Sequence, residues 1–285
     1  MRIAGACNPR DSTRSMKTIT RTIQPSNFLL LPVTMDPQSD QFIRNKMLFG
    51  REGFQKLQES FVAVVGLGGV GSYAAEALAR AGVGRLRIID CDKVKPSDIN
   101  RQLIALSTTV GMPKTQAAAE RFAAINPKLR LEPVQAFFHF DTADELIPCD
   151  IDFVIDAIDS LNPKGQLIRH CMEKNIPMIS ALGASSRTDP FQVQLTSLNK
   201  TVNCPLARAL RRHLRAKGIR DDVPVIYSPE APRESRLPAP EPMVEASDAY
   251  IRGRLRRSLP SIPTLPGIVG LMAANYAIFE LQKSE

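Results

Sequence analysis

The segment Gly66-Leu67-Gly68-Gly69-Val70-Gly71 is a glycine run of the kind that lets backbone N–H groups close on a phosphate. Phe61–Gly66, rich in Val, reads as a buried strand before it, and Gly69–Ala81 reads as a helix after it. Gly66, Gly68, Gly69 and Gly71 would therefore lie where a helix dipole favours negative charge. Asp90 ends the next apolar run, Leu86–Asp90, about 20 residues further on, where a carboxylate can accept hydrogen bonds from a ribose. Alone, Asp90 is as well explained as a strand-end turn residue. Loop and carboxylate together point to a nucleotide without saying which.

The connection that follows is richer than a dinucleotide site requires. It runs Asp90-Cys91-Asp92-Lys93-Val94-Lys95-Pro96-Ser97-Asp98-Ile99-Asn100-Arg101-Gln102, then Val110-Gly111-Met112-Pro113-Lys114, and Asp156-Ala157-Ile158-Asp159 lies beyond. The set resembles the adenylation domain of the ubiquitin-activating-enzyme-like superfamily, whose members activate a carboxylate with ATP. The resemblance implies that the glycine loop, Asp90, Asp92, Asp98 and Ser160 surround ATP, that Arg101 and Lys114 neutralise the polyphosphate, and that Asp159 bears on Mg2+. Cations suit that role because charge builds on the departing pyrophosphate. Arg44, in Gln41-Phe42-Ile43-Arg44, resembles the amino-terminal arginine that such enzymes lay on the phosphates, commonly across a homodimer. An NAD-dependent oxidoreductase would explain the loop and Asp90, but would leave Arg101, Lys114 and Asp159 without a joint purpose.

Ala157-Ile158-Asp159-Ser160-Leu161-Asn162-Pro163-Lys164, Thr188-Asp189-Pro190 and Asn199-Lys200-Thr201 with Pro205-Leu206-Ala207 narrow the likeness. They resemble the branch of tRNA threonylcarbamoyladenosine dehydratases, over residues 40–230 and the final helix. That branch implies adenylation of the modified nucleoside's carboxylate beside the anticodon and ring closure by a group on the same side chain, with a sulfur-transfer or redox protein as a further partner. Sulfur-carrier activating relatives often carry paired CxxC zinc ligands, and no CxxC occurs here. Asp98 stands where the family usually has Asn, Gln41 where it has Arg, and Cys204 where the dehydratases tend to have Asp. Asp98 either binds metal or has an altered role. With Asp98 and Cys204 in place, a weakened tRNA-binding scaffold is a further reading. Cys204 could be a thioester nucleophile. A helix-entry role is preferred, because ring closure needs no covalent enzyme intermediate. His139, His170 and His213 show neither ligand spacing nor a nucleophile partner.

These residues need a framework. Strand-like runs at Asp152–Ala157 and Pro177–Leu182 and helical patterns at Pro113–Ile125 and Pro163–Lys174 continue the βαβ rhythm. The expected fold is a Rossmann-like doubly wound α/β sheet, mostly parallel, with antiparallel additions in the C-terminal half. Phe191–Leu198 alternates as a strand with one wet face, and Gly267–Gln282 should be a last helix covering the sheet. Gln41–Ser60 reads as two short helices. Pro205–Lys217 is an amphipathic helix with Leu206, Leu210 and Leu214 on one side and Arg208, Arg211, Arg212 and Arg215 on the other, a candidate tRNA-backbone surface with the cluster Arg252, Arg254, Arg256 and Arg257. Such a run is equally a solvated face.

The 285 residues, 44% hydrophobic and 23% charged, suit a globular chain, and five scattered cysteines argue against a disulfide framework. Residues 1–35 carry half of the +8 net charge and read as a presequence or an upstream extension. The adenylation domain is thus expected over 39–285, after an extension at 1–38 and with a Pro-rich mobile crossover at 228–248. A cytoplasmic location is expected, or a mitochondrial one if residues 1–35 are a presequence.

Overall fold

The computed structural model describes residues 40–238 and 259–283. The presequence reading of 1–35, the arginines at 252–257 and residues 239–248 of the Pro-rich crossover lie outside the described residues. Its described part, 228–238, contains no helix or strand.

Seven strands form one sheet in the order β3-β2-β1-β4-β5-β7-β6. They are β1 Phe61–Val65, β2 Arg85–Ile89, β3 Arg130–Val134, β4 Phe153–Asp156, β5 Met178–Ala181, β6 Gln194–Ser197 and β7 Pro224–Tyr227. All neighbours are parallel except β6 and β7. The expected mostly parallel sheet with an antiparallel addition is what the chain builds. The order reverses between β1 and β4, and a doubly wound sheet offers its ligand crevice outside the strand ends at such a switch.

The helices are α1 Ile43–Glu59, α2 Gly71–Ala81, α3 Lys114–Ile125, the single turn α4 Ala143–Leu146, α5 Leu161–Lys174, α6 Pro205–Ala216 and α7 Thr264–Glu280. Every residue of β1 is buried, which is why its sequence is a continuous apolar run. Val62 and Val64 join the core under α2, α3 and α7, while Phe61, Ala63 and Val65 join the core under α5 and α6. α1 is kinked at Gly50, which has φ 71°, so the two expected short helices are two arms of one element. Pro113 precedes α3 rather than opening it, and Pro163 lies in the first turn of α5, where its missing N–H is tolerated.

The antiparallel edge departs from expectation. Residues 190–192 form a single 3-10 turn, the strand begins only at Gln194, and Phe191 is 96% exposed instead of facing the core. Asp189 holds the turn by accepting hydrogen bonds from Phe191 N and Gln192 Nε2. Strands β3 and β7 have no counterpart in the sequence reading. The former is an edge strand interrupted by charges and Pro133, and the latter is four residues long.

Candidate active site

The glycine loop leaves β1 and enters α2 at the switch point. Gly66 has φ +93°, and a Cβ there would lie 2.8 Å from Ala157 O, so both conformation and crowding require glycine. A Cβ at Gly71 would lie 1.7 Å from Gly66 O, a close approach that only a bare backbone permits. By contrast, a Cβ at Gly68 would meet nothing within 4 Å, so the loop's outer side is open. Helix α2 has no side-chain cap, and the N–H groups of Gly68, Gly69 and Val70 find no acceptor among the described residues. Uncapped amides at a helix start make an anion cradle.

Asp90 follows β2 and braces that loop. One carboxylate oxygen accepts from Leu67 N at 2.6 Å, the other from Asp92 N at 2.8 Å. Burial, with help from neighbouring Asp92, pushes the Asp90 carboxyl above its ordinary range against the pull of Lys114. Lys114 is 5% exposed and reaches Asp92 Oδ2 at 3.0 Å. Burial works to neutralise this ammonium, but Asp90, Asp92 and Asp98 more than offset it, so its pKa is raised and it stays charged. The backbone explains its placement: Lys114 N donates to Asp92 O, Val94 N to Met112 O and Gly111 N to Val94 O, zipping 92–94 to 111–114. Gly111, with φ +88°, supplies the turn.

Asp98 is buried within the same connection. It accepts from Lys95 N at 3.0 Å and Gln102 Nε2 at 2.8 Å, and pairs with Arg101 at 3.5 Å. Its oxygens are thus occupied within its own turn. Arg101 also donates to Ser97 O and Asn100 Oδ1, and its Cγ lies 3.4 Å from where a Gly69 side chain would begin. The structure therefore brings together the glycine loop, Asp90, Asp92, Asp98, Arg101 and Lys114. Asp159 is exposed just beyond β4, followed by Ser160 at the entrance of α5.

Asp156, the first acid of that pair, serves another purpose. It is wholly buried, accepts from Lys164 Nζ and Ser180 Oγ at 2.7 Å each, and holds Ile158 N at 3.0 Å. Lys164 and Ser180 are residues that the sequence reading did not single out. An acid on a buried strand, with a lysine in the following helix, was the available signal. The network fixes the turn that carries Asp159.

Arg44 does not join the site of its own chain. Its neighbour Asn45 donates to Ala81 O at 2.8 Å, at the far end of α2 from the glycine loop. The 11 residues of α2 span about 16 Å. Arg211, expected to face solvent, turns inward and donates to Leu198 O at 3.0 Å and Thr201 O at 3.1 Å. It ties α6 to the preceding loop, whereas Arg208, Arg212 and Arg215 are exposed. Cys204 is buried at the start of α6, where its sulfur accepts from Ala207 N at 3.5 Å, the position of a helix cap. His170 is buried against Ile147 O, and His139 pairs with Asp141.

Hard carboxylate oxygens suit Mg2+, which is commonly held by one or two carboxylates plus substrate phosphates. Asp159 fits that pattern. Asp90, Cys91 and Asp92 offer ligand atoms within 4.8 Å of one another, but both Asp90 oxygens receive backbone N–H groups and Asp92 receives Lys114. That cluster braces the loop.

Known proteins resemble the chain in sequence and fold. The chain is 39% identical over 243 residues to the tRNA threonylcarbamoyladenosine dehydratase of Bacillus subtilis, covering 85% of this chain and 95% of the relative. It is 37% identical over 164 residues to the molybdopterin-synthase adenylyltransferase of Salmonella typhimurium, covering 58% of this chain and 64% of that protein. Among solved structures, the Escherichia coli tRNA N6-threonylcarbamoyladenosine dehydratase TcdA in complex with AMP superposes with a TM-score of 0.75 at 33% identity, over 87% of this chain and 96% of that one. The same enzyme with ATP gives 0.74. With the family profile matching residues 42–284 as well, the chain belongs to the ThiF family.

Proposed function

We propose that this protein is an ATP-dependent tRNA threonylcarbamoyladenosine dehydratase. The observation that carries the reading is the grouping of a bare glycine loop, Asp90, Arg101 and Lys114 at the ends of β1 and β2, in a chain 39% identical to an enzyme of that name. The substrate carboxylate would attack the α-phosphorus of ATP and expel pyrophosphate. Lys114 and Arg101 stabilise charge on the leaving group, the loop amides hold phosphate, and Asp90 receives the ribose. Mg2+, when bound at Asp159 and the phosphates, supplies further charge neutralisation. A group on the same side chain then attacks the acyl carbon, AMP departs with the carboxylate oxygen, and the modified nucleoside has lost one water. Confining both steps to one site makes the second intramolecular.

Arg44 serves this reaction across a homodimer, since its own loop is a helix length away. Ile43, Met47 at 80% and Leu48 at 71% exposure give the same helix an apolar face for a second copy. The tRNA backbone runs along Arg208, Arg212 and Arg215, with Arg211 anchoring the helix. No helix among the described residues is long and apolar enough to cross a membrane, and a cytoplasmic place of action fits a tRNA substrate. The test is to incubate the protein with threonylcarbamoyladenosine-bearing tRNA and ATP–Mg2+ and to digest the RNA. Mass spectrometry should show a nucleoside lighter by one water, with pyrophosphate released. Pyrophosphate release that depends on a carrier-protein tail, with unchanged tRNA, would refute the reading.

A further inference from the structure

A hollow of about 220 Å³ lies between α5 and α6, and its lining includes Phe140, Asn162, Gly165, Arg169, His213 and Lys217. No acid lines it. The two helices meet over bare backbone: a Cβ at Gly165 would lie 2.6 Å from the His213 ring, so glycine lets the imidazole form one wall. Phe140, in the 3-10 turn Phe140–Thr142 after β3, is 48% exposed, and the Arg169 guanidinium lies 4.8 Å from its ring centroid. Arg169 spends Nε on Glu173 at 2.7 Å, but its side chain is 37% exposed and its terminal nitrogens have no acceptor among the described residues. Lys217 is exposed and pairs with no acid among those residues, and the same holds for Arg208, Arg212 and Arg215 on α6.

This combination selects among ligands. A bare phosphate would use the cations and gain nothing from a half-exposed phenyl ring, and an apolar peptide would use the ring and leave the cations unpaired. A nucleotide of single-stranded RNA uses both, its base stacking on aromatic and guanidinium planes while its phosphate meets Lys or Arg. The hollow also begins beside the site. Asn162 lies in the first turn of α5, just after Asp159 and Ser160, and the helix rises about 10 Å from there to Arg169. Enzymes that act on one base commonly hold its neighbours as well. We infer that the hollow takes an unstacked base flanking the modified nucleoside, with Phe140 and Arg169 as the stacking platform and Lys217 on the phosphate. The inference rests on the dehydratase reading for the identity of that RNA.

The test measures binding of an anticodon stem–loop RNA carrying threonylcarbamoyladenosine, either intact or abasic at each neighbour of that nucleoside. Phe140→Leu, which keeps apolar bulk but loses the π face, should weaken binding of the intact loop about tenfold, and Phe140→Tyr should restore it. One of the abasic loops should bind wild type as weakly, and Phe140→Leu should then add nothing, as expected of two groups in contact. ATP affinity should be unchanged in both Phe140 variants. Lys217→Ala should reduce the slope of log Kd against log salt by about one, and Phe140→Leu should leave that slope alone. Full binding by Phe140→Leu, or additive losses with both abasic loops, would overturn the inference. A reduced slope in Lys217→Ala with no effect at Phe140 would also overturn it, leaving a phosphate contact only. If wild type converts no modified tRNA, the dehydratase reading fails, and the same cycle with unmodified loops still decides whether the hollow holds a base.

Discussion

Lys114 and Lys164 lie early in the crossover helices α3 and α5, at 5% and 0% exposure, and their partners differ sharply. Lys164 is saturated: Asp156 Oδ2 at 2.7 Å, Ala181 O at 2.9 Å and Ser180 Oγ at 3.1 Å account for all three of its N–H groups. Lys114 has one hydrogen bond at 3.0 Å, to the half-exposed Asp92, and sits in an excess of carboxylates. A cation whose donors are all used holds the fold. One with donors to spare beside an open glycine loop is ready for a ligand.

That contrast can be broken first at Lys164. Replacing it by Met should leave Asp156 buried without its counter-ion, and destabilise the protein by about 3–5 kcal/mol. Urea unfolding at neutral pH measures this, and a loss below 1 kcal/mol would show that the network is not structural. Lys114→Ala and Arg101→Ala should do the reverse. Each is expected to lower pyrophosphate release by an amount equivalent to about 2–4 kcal/mol of transition-state stabilisation. Their unfolding midpoints should fall less than that of Lys164→Met, because Asp92 remains solvated, although Asp90 and Asp98 lose part of their compensation. Wild-type rates in both variants would remove them from the reaction.

A third charged pair sharpens the rule for partly buried groups. Glu76 on α2 bonds Arg80 and Arg121. Burial works to raise its pKa, but the two guanidinium groups prevail and hold it below its ordinary 4.5. A depressed carboxylate stabilises the fold above that value, and the contribution fades as pH falls through the native-state pKa. Glu76→Gln should therefore cost about 1–3 kcal/mol at pH 7, a gap that closes in acid. Equal gaps at both pH values would contradict this pairing. The smallest effect is expected at Cys204. Serine is itself a good cap, so Cys204→Ser should change stability by less than about 1 kcal/mol and keep turnover. A covalent substrate adduct on Cys204, with cyclised product lost in both Ser and Ala variants, would establish a thioester route instead.

Elements buried on both faces were legible because their sequences are apolar throughout, as in β1, or apolar but for one residue, as with Asp156 in β4 and Ser180 in β5. Edge elements were not: β3 carries charges and a proline, and Phe191 mimics an inward-facing strand residue while lying on a turn. The site divides in the same way. The glycine loop and Asp90 are recognisable from local spacing, since backbone geometry within one βαβ unit dictates where they fall, whereas Lys114 was reached through the family resemblance.

What each charged side chain does is set by contacts distant in sequence, and only the tertiary structure decides it. Asp156 meets Ser180 across neighbouring strands, and Arg211 finds Leu198 O through the packing of α6. Arg44 is directed away from its own loop because α1 docks at the far end of α2. Sequence alone determined the βαβ frame around β1, β2, β4 and β5 and the glycine loop, because these depend on residue type and short-range spacing, while the kind of chemistry came with the family resemblance. Whether a given charge is already neutralised depends on partners brought together by folding, and that separates structural from ligand-binding residues.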